Sequence, residues 1–325
     1  MRRLTIILLI FCAVTDVTAQ KIGLVLGGGG AKGGSEVGVL KVLDSLGVHP
    51  DYIVGTSIGS VVGSLYAAGY SGKDLERLFC NQEWLTLLTD RRPDLSGEPF
   101  KQAGGVTYIF GFPVLDTTDS RFGLLSGARV EQMVDSMLSA RGCTTFRSLP
   151  IPFRCIAADM SEAEEVVLQR GNVARAVRAS IAIPGIFKPV TISGRQLIDG
   201  GMMNNLPVDV AREMGADIVI AVDLQQSSDT PREERDNLIT VVGDLIGVGP
   251  IARWIVNRPD ITKYARNREL ADVYIQPLLP DYDATSFGNN NMQAMIAIGE
   301  QATRNMVPKI LNSVLKSFIT NNLKH

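Results

Sequence analysis

The chain is short of histidine, cysteine and net charge, and each shortage removes a class of protein. Only His49 and His325 occur in 325 residues. His49 stands just before an apolar run, at the wrong edge of a sheet, and His325 is the final residue, so neither suits the base of a Ser-His pair. Of the four cysteines, Cys80, Cys143 and Cys155 lie beyond the first 19 residues. They are too few for a disulfide scaffold, and sequence assigns no bridge among them. The formal net charge is −2, and −3 without Arg2, Arg3 and Asp16. No basic surface for nucleic acid follows from it, nor bulk attraction to acidic headgroups. No His/Cys/carboxylate cluster has ligand spacing, so neither metal nor cofactor is expected. Linkers, repeats and low-complexity tracts are absent too.

What is present begins with "MRRLTIILLIFCAVTDVTAQ". Arg2 and Arg3 precede an apolar run from Leu4 to Val14, and Val17 and Ala19 stand as small cleavage-site residues. The run falls short of the roughly 18 residues of a spanning helix. Residues 1–19 therefore read as a signal peptide, and residues 20–325 as an exported protein, periplasmic, outer-membrane-associated or extracellular.

Apolar runs at Ile22–Leu26, Tyr52–Val54, Phe153–Ala158 and Ile218–Leu224 alternate with helical patterns at Ser35–Leu46, Ser60–Ala68 and Gly127–Ala140. Strands without polar alternation, separated by helices, predict a three-layer α/β/α domain with a mostly parallel central sheet. Its core spans about 22–224, and a helical part about 225–325 carries one more strand at Val273–Pro277 and a last helix near Met292–Phe318. "SEAEEVVLQRG" predicts a hairpin, and "RAVRASIAIPGIF" a helix stopped by Pro184 and Gly185. Between Asn81 and Leu125 the pattern fits no regular element. Within it, Trp84, Leu87, Leu88, Tyr108, Phe110 and Phe112 suit either a lid at a lipid interface or a cover for the core.

The glycine run "GGGGAKGG" satisfies G-x-G-x-x-G through Gly28, Gly30 and Gly33. A dinucleotide site would also need an acid at the end of the second strand, but Asp51 precedes that strand. A phosphate loop fails because Ala31 precedes Lys32 and Gly33 follows it. "GTSIG", residues 55–59, is a G-x-S-x-G between a strand and a helix. Gly55 and Gly59 would relieve a sharp turn that lifts Ser57 above the sheet at the helix's positive end. Ser57 is thus a candidate nucleophile, and backbone N–H groups of Gly28, Gly29 and Gly30 would face the oxyanion of an acyl intermediate. With histidine missing, the best placed base is Asp199 in "LIDGGMMNNLP", where a strand ends in an acid followed by Gly200 and Gly201.

These motifs, in this order, resemble the patatin-like phospholipases, most closely their secreted bacterial branch. The resemblance covers nearly all of residues 20–325. It rests on "GGGGAKGG", "GTSIG", "RASIAIPGIFKPV" and "DGGMMNNLPV". It implies a serine lipid acyl hydrolase of phospholipase A or lysophospholipase type. Ser57 would attack an ester carbonyl and Asp199 accept its proton. Gly28, Gly29 and Gly30 would form the oxyanion hole, and Lys32 would occupy a place often held by arginine. It implies no cofactor, a fatty-acyl ester substrate and transient membrane-surface contact. Ser35–Glu36 departs from the small residue and histidine common there. A thioesterase or acyltransferase with the same dyad, or a silent secreted binding module, remains open, as do oligomeric state and whether an outer-membrane barrel follows.

Overall fold

The computed structural model describes residues 20–88, 100–103, 106–109, 112–116, 125–184, 186–225 and 261–322. The expected signal segment, residues 1–19, lies outside them, as do Gly185, residues 226–260 and Phe110.

Strand β1 (Ile22–Leu26) is buried along its whole length. A 3-10 turn (Gly30–Gly33) leads into α1 (Gly34–Leu46), which ends on Gly47 at φ 66°. Strand β2 (Tyr52–Thr56) passes through Ser57 into α2 (Ile58–Ala67). Helix α3 (Gly72–Asn81) starts at Ser71, whose side chain and that of Asp74 cap one another's backbone. Helix α4 (Trp84–Leu88) follows, then a small antiparallel sheet of β3 (Phe100–Ala103), β4 (Val106–Ile109) and β5 (Phe112–Asp116). The chain continues through α5 (Ala128–Ala140), β6 (Phe153–Asp159), β7 (Glu165–Leu168), α6 (Val173–Ser180), β8 (Val190–Ile192) and β9 (Arg195–Asp199). It closes with α7 (Val208–Glu213), β10 (Ile218–Val222), α8 (Ile261–Leu270), β11 (Val273–Ile275) and α9 (Asn289–Asn322).

The main sheet runs β11-β10-β1-β2-β6-β9-β8, with β7 on β6. From β11 to β6 every pairing is parallel; β7, β8 and β9 join antiparallel. Alternation along each strand splits the core into two layers. Leu24, Leu26, Ile53, Cys155, Ile220 and Val222 face a large cluster with α1, α2 and Met292, Met295 and Ile296 of α9. Val25, Val54, Ile156, Val219 and Ala221 face Val208, Val210 and Ala211 of α7, with Tyr264 of α8 beside them. This is the expected three-layer arrangement, and it explains why the central strands read as unbroken apolar runs.

The segment expected to be irregular contains α4 and the three-stranded sheet. Trp84 belongs to the core and not to an interface: it is 2% exposed and its indole N–H donates to Phe79 O at 2.9 Å. Its ring also lies 4.7 Å from Phe79 and 6.0 Å from Phe287. Leu87 and Leu88 are half-buried against the same core. Cys80, Cys143 and Cys155 are free thiols. Among the described residues no helix is long and apolar enough to cross a membrane.

Candidate active site

The site forms where β1 and β2 end side by side, Leu26 paired with Gly55. Ser57 occupies the sharp turn from β2 into α2 at φ 53°, ψ −124°, a conformation that costs a non-glycine residue roughly 1–3 kcal/mol and is held only where neighbours enforce it. Those neighbours are close. A Cβ on Gly55 would sit 2.3 Å from Gly59 O, and one on Gly59 would sit 2.3 Å from Leu26 O, so the turn closes only with glycine at both positions. Ser180 braces it from α6: its Oγ accepts the Ser57 N–H at 3.0 Å and donates to Ile156 O at 2.5 Å.

Asp199 arrives from the end of β9. Its Oδ2 accepts the Ser57 hydroxyl at 2.7 Å, and its Oδ1 accepts the Gly201 N–H at 2.7 Å. Gly200 lies against the Ile156 carbonyl, where a Cβ would come within 2.2 Å. Ser57 is 7% and Asp199 6% exposed, so the pair is nearly dry. Burial raises the Asp199 carboxyl to about 6, with the Ser57 and Gly201 hydrogen bonds opposing part of that rise. A carboxylate so placed is a stronger base than a solvated one, yet still mostly ionised at neutral pH.

The glycine loop after β1 packs directly on Ser57. A Cβ on Gly28 would lie 3.0 Å from Ser57 Cβ, and one on Gly33 would lie 2.3 Å from Ile58 Cγ1. The Gly28 N–H donates to Asn205 O at a long 3.4 Å, whereas among the described residues the N–H groups of Gly29 and Gly30 take no part in the loop's backbone bonds to neighbouring segments. Lys32 is half-buried; burial lowers its ammonium, and the charges of Asp283 and Asp223 oppose that.

Two residues outside the expected set tie the site together. The Asn205 amide donates to Gly28 O at 3.1 Å, and its Oδ1 would meet a Cβ on either Gly28 or Gly201 within 2.6 Å. Asn205 is therefore a wedge between the glycine loop and the acid motif. Asn204 O accepts the Thr56 hydroxyl at 2.9 Å and fixes the residue before Ser57. The signal for both was the paired asparagine directly after "DGGMM"; the signal for Ser180, a small polar residue in an alanine-rich helix, was weaker.

Glu36, in the first turn of α1, is fully buried, and among the described residues neither carboxyl oxygen has a hydrogen-bond partner. Burial holds its carboxyl well above the usual range, offset in part by the nearby Gly27 amide. Replacement by methionine removes an unsatisfied polar group at similar volume, and we expect a gain of about 1–3 kcal/mol at neutral pH. The sign in pH follows from the raised value. The Glu36 contribution to stability is fully present below the ordinary glutamate pKa of about 4.3 and is lost as pH rises above it. Urea midpoints of wild type and Glu36→Met should thus diverge with rising pH; parallel curves would refute the raised value of the buried carboxyl.

Taken together, the fold and this site define an α/β protein with a serine and an aspartate in direct hydrogen-bond contact beside a glycine loop. The family profile described as patatin-like phospholipase matches residues 24–212, which carry all of these elements, and the chain belongs to that family. It is 33% identical over 227 residues to an uncharacterized NTE family protein of Mycobacterium tuberculosis, covering 70% of this chain and 55% of that one. It is 34% identical over 216 residues to the patatin-like phospholipase domain-containing protein 6 of Homo sapiens, covering 66% of this chain and 14% of that one. Against the lysophospholipase NTE1 of Saccharomyces cerevisiae the identity is 32% over 223 residues, covering 68% and 12%. The chain thus spans about half, or much less, of the length of these relatives.

Proposed function

We propose that the protein is a serine lipid acyl hydrolase of phospholipase A or lysophospholipase type, acting on fatty-acyl esters through an acyl-enzyme on Ser57. The observation that carries this reading is the 2.7 Å hydrogen bond from the Ser57 hydroxyl to a buried Asp199. As Oγ attacks the ester carbonyl carbon, its proton passes to Asp199 Oδ2. The oxyanion is met by backbone N–H groups of the Gly28–Gly30 loop at the positive end of α2. Collapse breaks the acyl C–O bond, and the leaving alcohol takes the proton back from Asp199. Water then adds to the acyl-enzyme with Asp199 again accepting a proton; the acyl–Oγ bond breaks, Oγ takes that proton back from Asp199, and the fatty acid leaves. The family and the yeast relative named lysophospholipase support lipid esters as the substrate class. Export directed by residues 1–19, and transient contact with a lipid surface, are part of the proposal.

A fluorophosphonate probe tests it. Wild type should be labelled, and Ser57→Ala should take no label while keeping its far-ultraviolet dichroism. Labelling that survives in Ser57→Ala, or none in folded wild type with or without phospholipid vesicles, would overturn the assignment.

A further inference from the structure

A second concavity lies at the other end of the sheet from Ser57. It is a cleft of about 850 Å³ bounded by Tyr52 and Arg154 at the starts of β2 and β6, by Phe146 and Arg147 in the turn before β6, and by Arg170 in the turn after β7. Ser57 follows the last residue of β2, so at the usual strand rise the two places are separated by roughly 16 Å along that strand. The volume falls in the range of small-molecule sites.

Its charge is unlike that of the chain. Arg147, Arg154 and Arg170 line it with a single acid, Glu213, in a protein whose net charge is −2. Among the described residues Arg77, Arg175, Arg195, Arg212 and Arg304 pair with carboxylates and Arg178 donates to main-chain carbonyls, whereas exposed Arg266 shares with the cleft arginines the lack of such a partner. Among the described residues, none of the three cleft guanidiniums has a hydrogen-bond or ion-pair partner. Arg154 is the more telling case, because it is half-buried within β6, paired with Val54, in a strand whose other residues are all buried and include no second cation.

The frame around them is fixed. Thr145 and Ser148 cap the turn reciprocally, Thr145 bridges to Asn172, and the Phe146 and Phe153 rings stack at 5.8 Å and 9°. Unpartnered donor forks on a rigid, partly apolar frame suit a multiply charged oxyanion, whose planar O–P–O edges accept paired N–H bonds. We infer that this cleft binds a phosphate group carried by a small ester or diphosphate, with Arg147, Arg154 and Arg170 as its ligands. The group could be free in solution or displayed by an anionic phospholipid, and the inference stands independently of the hydrolase reading.

Two probes separate those sources. Inorganic pyrophosphate would be titrated calorimetrically into the full chain, and sedimentation would be measured with phosphatidylcholine vesicles with and without phosphatidic acid. Arg147→Gln, Arg154→Gln and Arg170→Gln should each weaken binding about tenfold, and Glu213→Gln should tighten it. Saturable pyrophosphate binding with this pattern assigns a soluble ligand. Binding only to phosphatidic acid vesicles, with the same pattern, assigns a headgroup. Arg147 and Arg170 stand in exposed turns, so their variants test the site even if Arg154→Gln misfolds. No binding to either probe, or binding indifferent to these substitutions, would overturn the inference.

Discussion

Asp199→Asn is expected to lower kcat/KM for an ester substrate by a factor on the order of 10³ to 10⁴ and, at neutral pH, to raise the stability of the fold. The amide keeps the shape and a hydrogen bond to Ser57 but cannot accept the proton that the nucleophile must lose. Because the carboxyl in wild type titrates at about 6, the rising limb of kcat/KM against pH should lie near that value and vanish in the variant. The stability half follows from the same raised value. A carboxyl whose folded pKa exceeds its unfolded value of about 3.9 is fully stabilising only below that pH, and the contribution is lost as pH climbs through about 6. Above that point wild type carries a buried charge that Asn does not, and the variant should gain about 1–3 kcal/mol, with no gain at acid pH. Rate profiles and urea midpoints at several pH values check both halves. A variant inactive but less stable at neutral pH would mean that Asp199 is chiefly a structural acceptor.

The pairing behind this expectation was legible in sequence because both residues sit at strand ends, bounded by glycines that a regular element would not tolerate. "GTSIG" and "LIDGG" mark positions where backbone runs against backbone, and the 2.3 Å and 2.2 Å approaches at Gly59 and Gly200 give the reason. The central strands were equally plain, since double-sided burial leaves no polar alternation to confuse them. Illegible were features that depend on distant segments meeting. The burial of Trp84 draws on Phe287, far along the chain. Asn205 was quoted within a motif, yet its role depends on the loop 177 residues earlier to which its amide bonds. The strands between Phe100 and Asp116 lack a clean period of two, and β4 and β5 are out of regular register between Thr107 and Tyr108.

The Asn205 wedge leads to the second large effect. Gly28→Ala would place a methyl 2.4 Å from Asn205 Oδ1 and 3.0 Å from Ser57 Cβ. The loop must retreat, and in the proposed mechanism displacing one oxyanion donor or misplacing Ser57 by about 1 Å costs on the order of 10² to 10³ in rate. The Asn205 amide is also pulled from Gly28 O, so stability should fall by about 1–2 kcal/mol. The two losses have different causes and a second substitution separates them. Asn205→Ala in the Gly28→Ala background removes the 2.4 Å contact while leaving the approach to Ser57. The double variant should therefore regain part of the single variant's lost stability yet stay catalytically impaired. Recovery of kcat/KM along with stability would show that Asn205, and not the loop's distance from Ser57, limits the reaction, and the oxyanion role of these glycines would have to be withdrawn.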